Sequence, residues 1–207
     1  MRDESFPFFA PRLSLAGLEP FATGGHRRCY VHPENPDLCV KVPARSDDGR
    51  CLALQRRELE DYASLRDRGP ATLLERIPVI EGVVDTDLGV GIVSELCRDA
   101  DGRISRNLTT VISEQGLSPS LVAAIDGLKQ WLKAQRLVTR DTGPHNVVAM
   151  RLDEDEWKLV IVEGWVHRRY QWLARCHRVF ADRMVGRQLA KFDRRVSLLA
   201  GIRAGGS

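Results

Sequence analysis

Lys41 sits in the apolar run "LCVKV", Leu38 to Val42, and an ammonium in such a run must find a counter-charge or thread its head group back to water. The run has strand composition and follows a turn-forming stretch, "PENPD", so its partner has to come from another element. The next segment, Cys51 to Arg68 ("CLALQRRELEDYASLRDR"), switches to helical composition, with Leu52, Leu59 and Ala63 expected on one face and Gly69-Pro70 ending the helix. Taken alone, Glu58 on that helix reads as a solvated charge beside Arg57. The strand lysine gives it a second reading, as the carboxylate that holds an ammonium.

Around this pair the chain reads as strands, one helix, then strands. "TGGH" is a glycine turn, "RCYVH" a strand, and "IEGVVDTDLGVGIVSEL" two strands about Asp87-Leu88-Gly89. The second half opens with a short helix, "NLTTVISEQG", and a longer one, "SPSLVAAIDGLKQWLKAQ". In the longer helix Ser118 can cap, Pro119 fits the first turn, and Leu121, Ile125, Leu128 and Leu132 fall on one stripe. A hairpin of "NVVAMR" and "WKLVIV" around "LDEDE" follows, then a long basic helical tail.

The loop "TRDTGPHNVVAM", Thr139 to Met150, carries Asp141 and Asn146. An acid and an amide around Gly and Pro are what any turn uses. Their order relative to the other elements is more specific. In protein kinases a glycine turn brings backbone amides to the phosphates, a strand Lys held by a helix Glu meets the α and β phosphates, a loop Asp accepts the acceptor's proton, and an Asn five residues on ligates magnesium. Here Gly24 and Gly25, Lys41, Glu58, Asp141 and Asn146 stand in that order. Glu163-Gly164 ends the run "KLVIV", where kinases place the metal-gripping D-F-G aspartate.

Bulk properties set the limits. The chain has 207 residues and is 43% hydrophobic, enough for one cored domain or two small lobes. Its 31 Lys and Arg against 28 Asp and Glu demand no polyanionic partner. From His167 onward, however, ten basic side chains (Arg168, Arg169, Arg175, Arg178, Arg183, Arg187, Lys191, Arg194, Arg195 and Arg203) face only Asp182 and Asp193. We read that tail as an amphipathic helix lying on the second lobe, with contact to RNA, anionic lipid or an acidic protein as its alternative. Five scattered cysteines without a C-x-x-C pair predict reduced thiols and no zinc site. His26, His32 and His145 likewise lack ligand spacing. The start, "MRDESFPFFAPRLSL", lacks the pattern of a signal peptide, which predicts a cytoplasmic protein.

The stretches "TGGHRRCYVHPENPDLCVKV", "RRELEDYASL" and "VTRDTGPHNVV" resemble the bacterial YrbL family, the PhoP regulatory network proteins, from about Leu13 to about Trp172. The most specific part is carried by Gly25, His26, Arg27, Cys29, Tyr30, His32 and Pro33. The resemblance implies a fold related to protein kinases and a link to the magnesium-sensing PhoP system. It carries the phosphate-turn role onto Gly24 and Gly25, and the kinase roles onto Lys41, Glu58, Asp141 and Asn146. Two positions depart from the kinase pattern. Gly143 stands where a Lys normally follows the catalytic Asp, with Arg27, Arg28 or Arg140 as possible substitutes, and Glu163 replaces an Asp. The 44 residues after Glu163 are also too few for the large helical lobe of ordinary protein kinases.

The expectation is thus an α+β protein with a reduced, kinase-like two-lobed fold. Residues 1–12 form an extension, residues 13–97 an antiparallel-sheet lobe with one helix, and residues 98–207 a small, mainly helical lobe ending in the basic helix. ATP and magnesium would bind in the cleft, with adenine near Glu95 and Leu96. Lys41 would be oriented by Glu58, metal held by Asn146 and Glu163, and an unknown hydroxyl acceptor would face Asp141. The rival is a pseudokinase, a regulatory binding module of the same fold, which Gly143 and Glu163 favour.

Overall fold

A computed structural model describes residues 6–68, 71–166, 171 and 176–204. Gly69, Pro70, Arg168, Arg169, Arg175 and the first five residues of the expected extension lie outside the described residues. The chain is α+β and divides into two compact units: Met1–Gly69 with Pro78–Leu96, and Pro70–Ile77 with Cys97–Ser207. Pro70–Ile77, placed by sequence within residues 13–97, clusters with the second unit.

The first unit is built on a six-stranded sheet. Its strands are β1 (Phe8–Leu13), β2 (Ala22–Thr23), β3 (Arg27–His32), β4 (Asn35–Pro43), β5 (Ile80–Thr86) and β6 (Gly89–Glu95), in the order β1-β5-β6-β4-β3-β2. All pairings are antiparallel except β1 with β5. The strand carrying Lys41 is central, pairing with β3 at Cys29 and with β6 at Ile92. Because side chains alternate along a strand, Val40 and Val42 point to one face. There they join Leu13, Leu15, Tyr30, Val84 and Val93 in the core. Cys39 and Lys41 point to the other face, where helix α1 (Gly49–Arg68) lies. Gln55 ties α1 to the sheet by donating to the Val90 carbonyl at 2.6 Å.

Three sequence expectations need correction here. The segment before Leu13 is more than an extension, since β1 forms the edge of the sheet and Leu13 and Leu15 cover its second face. The "PENPD" turn is shorter than expected, because β4 already begins at Asn35. On α1 the expected Leu59 is buried, but Leu52 is exposed and Ala63 half-buried, and the buried residues besides Leu59 are Cys51, Glu58, Asp61, Tyr62 and Leu65. The expected turn at Asp87-Leu88 joins β5 to β6. Its Asp87 carboxylate accepts from the Leu15 and Ala16 amides, both at 2.8 Å, and so pins the chain leaving β1.

The second unit holds a three-stranded sheet, ordered β7 (Arg106–Asn107), β8 (Val147–Arg151) and β9 (Trp157–Ile161). It also holds helices α2 (Leu108–Gln115), α3 (Pro119–Ala134) and α4 (Arg178–Ala204). Asn107 caps α2 by accepting from the Thr110 amide at 2.9 Å, and Ser118 caps α3 by accepting from the Leu121 amide at 3.1 Å. The expected stripe of Leu121, Ile125, Leu128 and Leu132 is buried, together with Trp131. On α4 the basic side chains alternate with a buried stripe, Ala181, Val185, Leu189, Phe192 and Val196, and the helix packs on α2 and α3. The tail is thus a helix of this unit, with Arg183, Arg187, Lys191 and Arg194 on its solvent side. All five cysteines are unbridged. No helix among the described residues is long and apolar enough to cross a membrane.

Candidate functional site

In the first unit the strand lysine finds its counter-charge. Lys41 Nζ donates to Glu58 Oε1 at 3.2 Å, and Arg27 donates to Glu58 Oε2. Lys41 and Glu58 are each only 7% exposed. Burial, the largest single influence, pushes the Lys41 pKa down, but the Glu58 carboxylate together with the Cys39 and Cys29 thiols outweighs it, and the ammonium is held more firmly protonated than usual. Burial alone pushes the Glu58 carboxyl up, yet Arg27 and Lys41 together bring it below its ordinary value. Two cations share one carboxylate, so the group carries a net positive charge on the α1 side of the sheet.

The glycine turn lies between β2 and β3, closed by Gly24 N donating to the Arg27 carbonyl at 2.9 Å. A Cβ at Gly24 would meet nothing closer than the Arg27 carbonyl at 3.9 Å, and one at Gly25 nothing within 4 Å. Neither the turn's packing nor a left-handed backbone explains these glycines. Glu95 and Leu96 end β6, but their amides are engaged within the unit. Glu95 N donates to the Val79 carbonyl at 2.9 Å and Leu96 N to the Asp37 carbonyl at 2.8 Å. Those two amide donors hold the chain together at the place where the sequence expectation puts an adenine edge.

In the second unit three separated sequence features come together. Asp141 follows α3, and its Oδ1 accepts from the Gly143 amide at 3.0 Å and from Arg195 Nη1 of α4 at 2.9 Å. Its Oδ2 lies 3.3 Å from His145 Nε2. Asn146 Nδ2 donates to the Asp141 carbonyl at 3.2 Å, which turns the amide oxygen away from that contact, and the Asn146 carbonyl accepts from the Val162 amide at 2.9 Å. The Glu163-Gly164 turn then folds over Asp141, with Gly164 O accepting from the Arg140 amide at 2.8 Å. Burial raises the Asp141 pKa, but the Arg195 guanidinium and the Gly143 amide outweigh it and hold the carboxyl below its ordinary value.

Gly164 is required by geometry. Its φ is +71°, and a Cβ there would lie 2.9 Å from the Asp141 carbonyl oxygen. Gly164→Ala should therefore cost about 1–3 kcal/mol of unfolding free energy, read from urea denaturation. A variant as stable as the wild type would mean that the turn does not close on Asp141. Glu163 sits at the end of this turn, beyond β9, at the same end of the β8–β9 hairpin as Asn146. An amide oxygen and a carboxylate suit magnesium, which takes one or two protein ligands and completes its shell from phosphates and water. No cluster of three or more His, Cys, Asp or Glu able to hold a metal by themselves occurs among the described residues.

Sequence reasoning missed Arg195. Of the basic residues considered as substitutes for the absent lysine, Arg27 is bonded to Glu58 and Arg140 Nη2 reaches the Val166 carbonyl at 3.3 Å. Arg195, on a helix distant in sequence, is the one beside Gly143. The only clue available was the pairing of a glycine at that position with an arginine-rich tail.

The family model of the PhoP regulatory network protein YrbL matches residues 13–197. The "Uncharacterized protein YrbL" of Escherichia coli (strain K12) is 33% identical over 147 residues, which are 70% of this chain and 69% of that protein. The protein of the same name in Shigella flexneri matches to the same extent. The chain belongs to the YrbL family.

Proposed function

We propose that the protein is an ATP- and magnesium-dependent phosphotransferase of reduced, kinase-like organisation, acting in the cytoplasm within the PhoP regulatory network that gives its family its name. The observation that carries this reading is the closure of Glu163-Gly164 over Asp141 and Asn146. It brings the backbone on either side of Glu163 against the loop that carries Asp141 and Asn146, and an acid, an amide and a second carboxylate are the residue types that phosphoryl transfer uses. The buried Lys41–Glu58 pair supports it, as do two turn glycines whose absent side chains nothing in the turn explains.

In this reading Lys41, oriented by Glu58, and the Gly24-Gly25 turn are the phosphate-binding groups. Asn146 and Glu163 are the magnesium ligands and Asp141 is the base. Bound magnesium offsets charge on the phosphates. Asp141, kept ionised by Arg195 and the Gly143 amide, takes the proton of an acceptor hydroxyl. The solvent side of α4, with Arg183, Arg187, Lys191 and Arg194, is available to an anionic partner. A pseudokinase is the second reading, favoured by one observation: both Asp141 oxygens already have partners within the protein.

The deciding experiment is thermal unfolding with ATP and magnesium. Ligand at a hundredfold excess over Kd stabilises by about 2.7 kcal/mol, roughly 5–10 °C for a chain of this size. The wild type should show that rise only when magnesium is present, and Lys41→Ala should lose it. Lys41→Ala itself should fold, because Arg27 still neutralises Glu58. No rise at millimolar ATP would refute the nucleotide-binding reading.

A further inference from the structure

Gly143 has φ −59° and ψ 147°, an ordinary extended conformation open to any residue. The glycine is therefore not there for the backbone. What excludes a side chain is space: a Cβ at this position would collide with the His145 ring and lie 2.5 Å from Arg195 Nη1. The volume that a residue-143 side chain would enter is shared by the His145 ring and by an arginine from the terminal helix.

That arginine is held in place. Two turns earlier on α4, Gln188 bonds the Thr139 backbone in both directions, accepting from its amide at 3.3 Å and donating to its carbonyl. Between Gln188 and Arg195, Leu189 and Phe192 anchor the helix in the core, and Asp193 on its flank pairs with Lys129 at 2.9 Å. Arg195 Nη1 donates to Asp141 Oδ1 at 2.9 Å, while about a third of its side chain, 35%, remains exposed. A guanidinium has five N–H donors in a fixed fork, so it can hold Asp141 and still offer donors to an anionic oxygen.

We propose that Arg195 supplies, from the C-terminal helix, the positive charge that stabilises the transferring phosphoryl group, with Gly143 as the residue that makes room for it. The inference rests on the phosphotransferase reading and adds the terminal basic helix to its active centre. In the step, the acceptor oxygen forms a bond to the γ-phosphorus. The bond between that phosphorus and the bridging oxygen breaks, and its electron pair leaves with ADP. The acceptor proton passes to the Asp141 carboxylate. Arg195 is unchanged throughout and donates hydrogen bonds to the phosphoryl oxygens as their charge redistributes.

The test uses the full chain with ATP and magnesium, reading ADP formation, phosphate transferred to the protein or to water, and the ATP-dependent rise in melting temperature. Arg195→Ala should lower turnover by about 100-fold or more and keep most of the thermal shift. Adding Gly143→Lys to Arg195→Ala returns a cation from the loop once the exposed His145 ring turns outward, and should recover at least about tenfold of the lost rate. A residue needed only for folding would not be rescued in that way.

Arg195→Ala at wild-type activity, or above it as a released lock would be, overturns the inference alone. So does a double variant no better than Arg195→Ala. A wild type that shows the ATP shift but forms no ADP overturns this inference and the transfer reading, leaving nucleotide binding intact. A wild type without the shift overturns the nucleotide reading itself.

Discussion

Glu58→Gln should lower the unfolding free energy by about 3–5 kcal/mol, the usual consequence of removing one partner from a buried ionic group. Glu58 accepts from both Lys41, at 3.2 Å, and Arg27. The amide keeps its volume but no charge, so both cations lose the carboxylate that they share. Urea denaturation at neutral pH measures the cost, and a loss below about 1 kcal/mol would mean that the group is solvated like a surface pair. Lys41→Ala should cost less, because it leaves Glu58 and Arg27 still matched. The pH dependence follows from the signs. The Glu58 carboxyl is lowered from 4.5, so its contribution is full above that value and is lost as pH falls through the folded pKa. The Lys41 ammonium is raised from 10.5, so its contribution is full below that value and is lost only in stronger base. Wild-type stability should therefore gain from this group between these limits, and Glu58→Gln should lose the acid-side dependence.

Where the sequence and the structure agree, the reason is local chemistry. Ser118 and Pro119 mark the start of α3 because a hydroxyl cap and a fixed φ suit no other place as well. A lysine among apolar strand residues signals a buried partner, and Glu58 is that partner. Disagreement arises where the cause is remote. β1 carries Pro11 and follows Pro7, and proline counts against a strand, although an edge strand tolerates it because one of its sides needs no ladder bonds. Its pairing with β5 joins residues 75 apart at Phe8 and Val83, and nothing local encodes it. Leu52 was misplaced because the α1 face is centred on Tyr62 and Glu58, and a charged residue does not count as apolar in a periodicity reading. Glu95 and Leu96 showed the end of a strand but not that Val79 and Asp37 would occupy their amides. Arg195 belongs to the same class: its partner, Asp141, lies 54 positions earlier.

Asp141→Asn should reduce phosphoryl transfer by about 100- to 10,000-fold, the range for a lost general base, while ATP and magnesium bind within about threefold of wild type. In the phosphotransferase reading the base acts on the acceptor and not on the nucleotide, so the loss should fall on kcat. The substitution is mild for the fold. An asparagine oxygen can still accept from the Gly143 amide and from Arg195, and the ionic part lost belongs to a side chain that is 39% exposed, so the stability cost should be near 1 kcal/mol or less. This makes the variant a clean comparison, unlike one at Glu58. The protonation state adds an independent check. Arg195, the Gly143 amide and His145 hold the Asp141 carboxyl below its ordinary 3.8 against the opposing effect of burial, so a base at this position stays ionised across neutral pH. The transfer rate should then show no acid limb near neutrality, and should fall only as pH approaches the carboxylate range. Equal turnover in wild type and Asp141→Asn would remove Asp141 from the role of base, and nucleotide binding without turnover in either would assign the protein to the pseudokinase reading. In that case the Arg195–Asp141 pair would be a structural clamp between α4 and the loop, with no part in chemistry.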